Sequence, residues 1–127
     1  MKRILVIEDD QIIMNLIVIL LEREGHEVIQ ATTAETGLTL AGSRKPDLIL
    51  MDIALPGMDG LEATRILKSR EETRAVPVVA LTAQAMKEDA EKAARAGVDG
   101  FIPKPVSTRK FVAEIAGYLD RASTREE

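Results

Sequence analysis

The run Asp47-Leu48-Ile49-Leu50-Met51-Asp52 is the strongest structural signal in the chain. Its continuous apolar stretch predicts a strand covered on both faces, as in a parallel sheet. Asp52 would then lie at the carboxyl end of a buried strand, a position that suggests a reactive or ligand-binding role. For one aspartate considered alone, a helix N-cap or a solvated loop acid is the alternative.

Strand-like and helical segments alternate along the whole chain. Strands are predicted at residues 3–7, 27–30, 48–51, 78–81 and 100–102, and helices at residues 10–24, 34–43, 59–70, 83–96 and 107–119. This alternation predicts an α/β fold, a doubly wound and mostly parallel sheet with right-handed crossovers and helices on both faces.

Polar residues also follow the other predicted strands. Glu8 and Asp9 follow the first strand, Thr82 follows the fourth and Lys104 follows the last. The carboxyl ends of parallel strands lie at one edge of the sheet, where such folds bind ligands, so we expect Glu8, Asp9 and Asp52 around one cleft. Repulsion among three carboxylates favours a cation, and an all-oxygen site suits Mg²⁺. Alternatively, the acids after the first strand only cap the following helix.

Length, charge and composition restrict the function further. The chain has 127 residues, 46% of them hydrophobic, and no cysteine, which fits one domain over residues 1–122 with a polar tail at 123–127. A net charge of −4 argues against direct binding to nucleic acid. The apolar stretch at residues 4–7 is too short for a signal peptide or a membrane span, so we expect no membrane contact and a cytoplasmic location.

Four segments in order resemble the receiver domain of two-component response regulators, in the CheY-like superfamily. They are Ile-Leu-Val-Ile-Glu-Asp-Asp at 4–10, Pro-Asp-Leu-Ile-Leu-Met-Asp-Ile-Ala-Leu-Pro-Gly-Met-Asp-Gly at 46–60, Pro-Val-Val-Ala-Leu-Thr-Ala at 77–83 and Gly-Phe-Ile-Pro-Lys-Pro at 100–105. The pattern looks closest to single-domain receivers of the cell-cycle type and to receivers of hybrid kinases. This resemblance implies a flavodoxin-like (βα)5 fold with strand order 2-1-3-4-5.

The resemblance also implies a signalling protein that catalyses only its own phosphorylation and dephosphorylation. Asp52 would accept a phosphoryl group from a histidine kinase or a histidine phosphotransfer protein and form an acyl phosphate. By motif position, Asp9 and Asp52 would ligate Mg²⁺ directly. The backbone carbonyl of Ala54 would be a third protein ligand, and Glu8 would act through water.

The remaining motif positions imply a switch. Lys104 would pair with a phosphoryl oxygen, positioned by a cis peptide bond at Pro105. Thr82 would donate a hydrogen bond to another phosphoryl oxygen, and Phe101, as the switch aromatic, would fill the space that Thr82 vacates. The change would then reach an unknown output protein. A plain core role for Phe101 is the alternative.

The first predicted helix has more apolar residues than one core face requires. An inward stripe would contain Ile13, Leu16, Ile17 and Leu20. Ile12, Met14 and Val18 belong to a second stripe, and the resemblance makes them candidate contacts for the helical bundle that carries the phosphodonor histidine. A broad core face explains the same pattern.

Two other classes of protein compete with a receiver. A haloacid-dehalogenase-like phosphatase has a second aspartate two residues after its nucleophile, where this chain has Ala54. A flavin or nucleotide module has a phosphate-binding loop after the first strand, but here residues 8–10 are acidic and would repel phosphate.

Overall fold

The computed structural model of the protein describes residues 2–82, 87–104 and 106–126, without the side chains of residues 87–90 and 122–126. Within this part of the chain, strands and helices alternate as the sequence predicts. The strands are β1 (Arg3–Ile7), β2 (Glu27–Ala31), β3 (Leu48–Asp52), β4 (Val78–Thr82) and β5 (Gly100–Pro103). The helices are α1 (Gln11–Arg23), α2 (Ala34–Arg44), α3 (Gly60–Ser69), α4 (Lys87–Ala96) and α5 (Thr108–Glu126).

The described strands form one parallel sheet in the order β2-β1-β3-β4-β5, which confirms the predicted topology. Every residue of β3 and of β4 is buried. The register aligns Asp52 with Leu81 and Thr82 with Pro103. The last residues of the three strands on this side of the sheet therefore lie next to one another.

The sheet separates two hydrophobic clusters, as a strand covered on both faces requires. Ile4 and Val6 of β1 pack into the cluster beneath α1 and α5. Leu5 and Ile7, the alternate residues of the same strand, pack into the cluster beneath α2 and α3. Helices cover both faces of the sheet, so polar side chains can cluster where the strands begin and end.

The helix ends differ from the sequence prediction at the carboxyl terminus. Helix α5 extends to Glu126, so the backbone of most of the segment predicted as a polar tail is helical. Residues 120–126 contain neither glycine nor proline, and no other strong signal ends the helix. For α4, the predicted start at residue 83 lies outside the described residues.

The prediction that Met14 contacts a partner is wrong, because its side chain is fully buried in the core. Met14 lies three and seven residues before Ile17 and Leu21, so all three belong to the inward face of α1. Val18 is half-buried and packs against the same cluster. The face of α1 that remains exposed carries Ile12 and Ile19.

Candidate functional site

Three acidic side chains meet at the carboxyl ends of β1 and β3. One carboxylate oxygen from each of Glu8, Asp9 and Asp52 lies within 4.8 Å of the others. Glu8 and Asp52 are buried, whereas Asp9 is exposed. The structure therefore brings together the three acids that the sequence placed around one cleft.

Lys104 supplies the positive charge of this cleft. Its backbone N–H donates to the Thr82 carbonyl over 2.8 Å, which joins the ends of β4 and β5. Its ammonium Nζ lies 2.7 Å from Glu8 Oε1 and 3.4 Å from Asp52 Oδ1. Lys104 thus bridges the two buried carboxylates.

Sequence reasoning missed the close pairing of Lys104 with Glu8. It expected Lys104 to serve a phosphoryl oxygen and Glu8 to act through water. A signal was present, because a carboxylate that directly follows a buried strand needs a counter-charge to remain ionised.

The buried charges shift each other's protonation. Burial raises the pKa of the Glu8 carboxyl to about 7, and the neighbouring Asp52 contributes in the same direction. Burial acts to lower the pKa of the Lys104 ammonium, but its contacts with Glu8 and Asp52 outweigh that effect and raise the pKa above its ordinary value. Lys104 therefore stays charged at neutral pH, while Glu8 lies near the middle of its titration.

The backbone holds Asp52 in place through a short turn. The Ala54 N–H donates to Asp52 Oδ1 over 3.0 Å, and the Ile53 N–H donates to the Leu81 carbonyl over 3.1 Å. On the other side, the Gly60 N–H donates to the Ile53 carbonyl over 3.1 Å. The Asp52 carboxylate and the predicted ligand residue Ala54 therefore belong to one hydrogen-bonded unit.

Asp10 is the N-cap residue of α1. The Asp10 side chain accepts from the N–H groups of Ile12 and Ile13, as an N-cap residue does. Glu8 lies in the cleft, and its Oε2 accepts from the Asp10 N–H over 3.1 Å. Of the three consecutive acids, Asp10 therefore caps the helix, whereas Glu8 and Asp9 belong to the cleft.

Of the predicted switch residues, Thr82 lies at the strand end next to the cleft, and Phe101 lies farther back on the neighbouring strand. Thr82 ends β4 and is 8% exposed, one residue beyond the Leu81 that pairs with Asp52. Phe101 lies on β5 opposite Ala80 and is half-buried. Pro105, with its predicted cis bond, lies outside the described residues.

The residues of this cleft fit a hard divalent cation. Their donor atoms are carboxylate oxygens, the ligands that Mg²⁺ prefers. Glu8 Oε1 is buried and faces the Lys104 ammonium over 2.7 Å, and each carboxylate oxygen has a second lone pair that a cation or its water could use.

The fold and this cleft define a class of protein. The chain belongs to the response regulator receiver domain family, whose sequence model matches residues 4–116. It is 43% identical over 121 residues to the polar-differentiation response regulator DivK of Brucella ovis, covering 95% of this chain and 98% of that protein.

Solved structures support the same assignment. A CheY-like receiver domain protein from Methanospirillum hungatei is 33% identical with a TM-score of 0.91, covering 98% of each chain. The receiver domain of a sensor histidine kinase from Pseudomonas aeruginosa is 33% identical with a TM-score of 0.83, covering 94% of this chain and 95% of that one. In that structure a magnesium ion is coordinated in the active site cleft. None of the helices described in this chain has the length and apolarity to cross a bilayer.

Proposed function

We propose that this receiver accepts a phosphoryl group on Asp52 from the phosphohistidine of a kinase or a phosphotransfer protein. The observation that supports this most strongly is the position of the Lys104 ammonium between Glu8 and Asp52. Asp52 is the carboxylate that lies at the end of a central strand, in the acidic cluster and within 3.4 Å of that cation. Such a site suits the transfer of a strongly anionic group.

The transfer requires positioning more than covalent assistance. An Asp52 carboxylate oxygen attacks phosphorus, the bond from phosphorus to the histidine nitrogen breaks, and the electron pair remains on the imidazole. Lys104 offsets the charge of the phosphoryl oxygens, and its ammonium is already close enough to need little movement. The Ala54 N–H keeps the acceptor carboxylate in one orientation.

The proposal includes a metal site. Glu8, Asp9, Asp52 and the Ala54 carbonyl would hold Mg²⁺, which would offset charge on the phosphoryl oxygens. The acidic cluster supports this assignment, as does the magnesium ion of the Pseudomonas receiver. A cation here would also offset the burial and the nearby Asp52 charge that raise the pKa of Glu8.

We further propose that the signal passes in trans to an unidentified output protein. The likeness to the response regulator DivK, of which this chain covers 98%, supports an output that is carried by a separate protein. Thr82 and Phe101 would convert phosphorylation into a change of shape, because both lie on strands that border the cleft. The net charge of −4 favours a protein partner over nucleic acid.

Ile12 is the residue of the predicted donor-binding stripe that remains suitable as a contact. It is 81% exposed on the first turns of α1, next to the cleft end of the sheet. Val18, being half-buried, would contribute only an edge of its side chain. We therefore propose Ile12 as the main apolar contact for the phosphodonor on this helix.

The experiment is phosphorylation with acetyl phosphate and Mg²⁺, monitored by intact mass. Wild type should gain one phosphoryl group, and Asp52→Asn should gain none. Asp47→Asn is the matched control, because Asp47 lies at the opposite end of β3 and binds the Arg3 N–H. Modification of Asp52→Asn at the wild-type rate would disprove the assignment.

A further inference from the structure

Gly60, the first residue of α3, lies directly behind the Asp52 backbone. A Cβ atom added at Gly60 would overlap the Asp52 carbonyl oxygen and would stand 2.8 Å from Ile53 Cα. Real Cβ atoms essentially never come within 3.0 Å of such neighbours. The obstacles are backbone atoms, which cannot rotate away as a side chain can. Any larger residue would therefore displace α3 or the Asp52–Ile53 peptide.

Two other helical glycines lack this constraint, and at a third, Gly37, the nearest atoms belong to the Ile7 side chain and not to backbone. A Cβ atom at Gly42 in α2 or at Gly117 in α5 would meet nothing within 4 Å. Alanine should be favourable at those two positions, because glycine weakens a helix interior. The close approach at Gly60 therefore belongs to its place behind the cleft.

Gly60 is also held from both sides. Its N–H donates to the Ile53 carbonyl, and its own carbonyl accepts from the Thr64 hydroxyl over 2.7 Å. Thr64 is fully buried, so its hydroxyl is shielded from solvent. Asp59 caps the same helix end by accepting from the Glu62 N–H over 2.8 Å. The start of α3 is thus fixed to the turn that carries the acceptor carboxylate.

We propose that Gly60 is a positioning residue, which sets the place of the Asp52–Ala54 turn by close backbone packing. The turn determines where the Asp52 carboxylate and the Ala54 backbone stand relative to Lys104. A misplacement of roughly 1 Å in such a site can cost about a hundredfold in rate. The consequence for phosphorylation rests on the proposed function, whereas the effect on the turn does not.

The test compares Gly60→Ala with Gly42→Ala and Gly117→Ala, which make the same chemical change where space is open. Amide hydrogen exchange at Ile53 and Ala54 reports the turn directly, because these N–H groups bind Leu81 and Asp52. In Gly60→Ala these amides should exchange at least tenfold faster relative to Leu5 in β1. The controls should match wild type. Unchanged exchange at Ile53 and Ala54 would overturn the proposal.

Phosphorylation by acetyl phosphate provides the second measurement. Gly60→Ala should react roughly ten- to a hundredfold more slowly, chiefly through the maximal rate and not through half-saturation by acetyl phosphate. A wild-type rate in folded Gly60→Ala would also overturn the proposal. If wild type itself takes no phosphoryl group, the proposed function fails, and the exchange measurement still decides the role of Gly60.

Thr64→Val keeps the test decisive if Gly60→Ala does not fold. Valine preserves the volume of the threonine but removes the hydroxyl bound to the Gly60 carbonyl. Exchange at Ile53 and Ala54 should then rise by about two- to tenfold, the factor that one ordinary hydrogen bond provides. Exchange equal to that of wild type in Thr64→Val would likewise contradict the proposal.

Discussion

Glu8→Gln should remove a large pH dependence from the stability of the metal-free protein. Glu8 is fully buried, and burial with the nearby Asp52 raises its pKa from 4.5 to about 7. Between these two values the folded protein binds more protons than the unfolded chain. The free energy of unfolding therefore falls as pH rises through this window.

The size of the effect follows from the two pKa values. Each pKa unit corresponds to about 1.4 kcal/mol, so a change from 4.5 to about 7 gives about 3.5 kcal/mol over the whole window. Lys104 does not cancel this loss, because its raised pKa keeps the ammonium charged throughout the window. Glutamine fills nearly the same volume and cannot ionise, so the variant should lack this contribution.

The assay is urea denaturation followed by far-ultraviolet circular dichroism, with a chelator present, at about pH 5 and about pH 8. Because pH 5 already lies inside the window, wild type should lose about 2.5 kcal/mol more than Glu8→Gln between the two conditions. Glu22→Gln controls for removal of an exposed glutamate from α1. Saturating Mg²⁺ should stabilise wild type more at the higher pH, because the cation binds the ionised carboxylates.

Equal pH dependence in Glu8→Gln and wild type would refute the reasoning. The proton taken up on folding would then belong to another group, and Lys104 would be enough to keep Glu8 ionised.

Three further predictions concern other parts of the chain. Lys68→Met should lower the free energy of unfolding by about 1–3 kcal/mol in urea denaturation, since Lys68 Nζ donates to Asp99 over 2.9 Å and to the Val76 carbonyl over 2.8 Å. Gly117→Ala should raise the free energy of unfolding by about 0.4–1 kcal/mol in the same assay, because its Cβ would occupy open space on α5. Thr82→Ala should still be phosphorylated, but its conformational equilibrium should shift about ten- to a hundredfold less, since the lost hydrogen bond to a charged oxygen is worth ~1.5–3 kcal/mol. Chemical-shift changes around Phe101 on adding beryllofluoride measure that shift, and changes of wild-type size would assign the switch to other residues.

Local patterns in the sequence determined the elements and their order. Five apolar runs separated by helical periods predict parallel strands with helices on both faces. The structure confirms the strands to within one residue, whereas α5 ends seven residues later than predicted. Asp52, Glu8, Asp9 and Lys104 were also predicted to meet. The carboxyl ends of parallel strands lie at one edge of the sheet whatever the details of packing.

Packing across the chain determined the rest. Met14 was assigned to the surface because two stripes of α1 are equally apolar, and only the docking of α1 on the sheet selects the inward one. The short distance from Lys104 to Glu8 joins segments far apart in sequence, and the close approach at Gly60 joins the start of α3 to the end of β3. Such distances arise when helices and strands close-pack, and no periodicity within one segment encodes them.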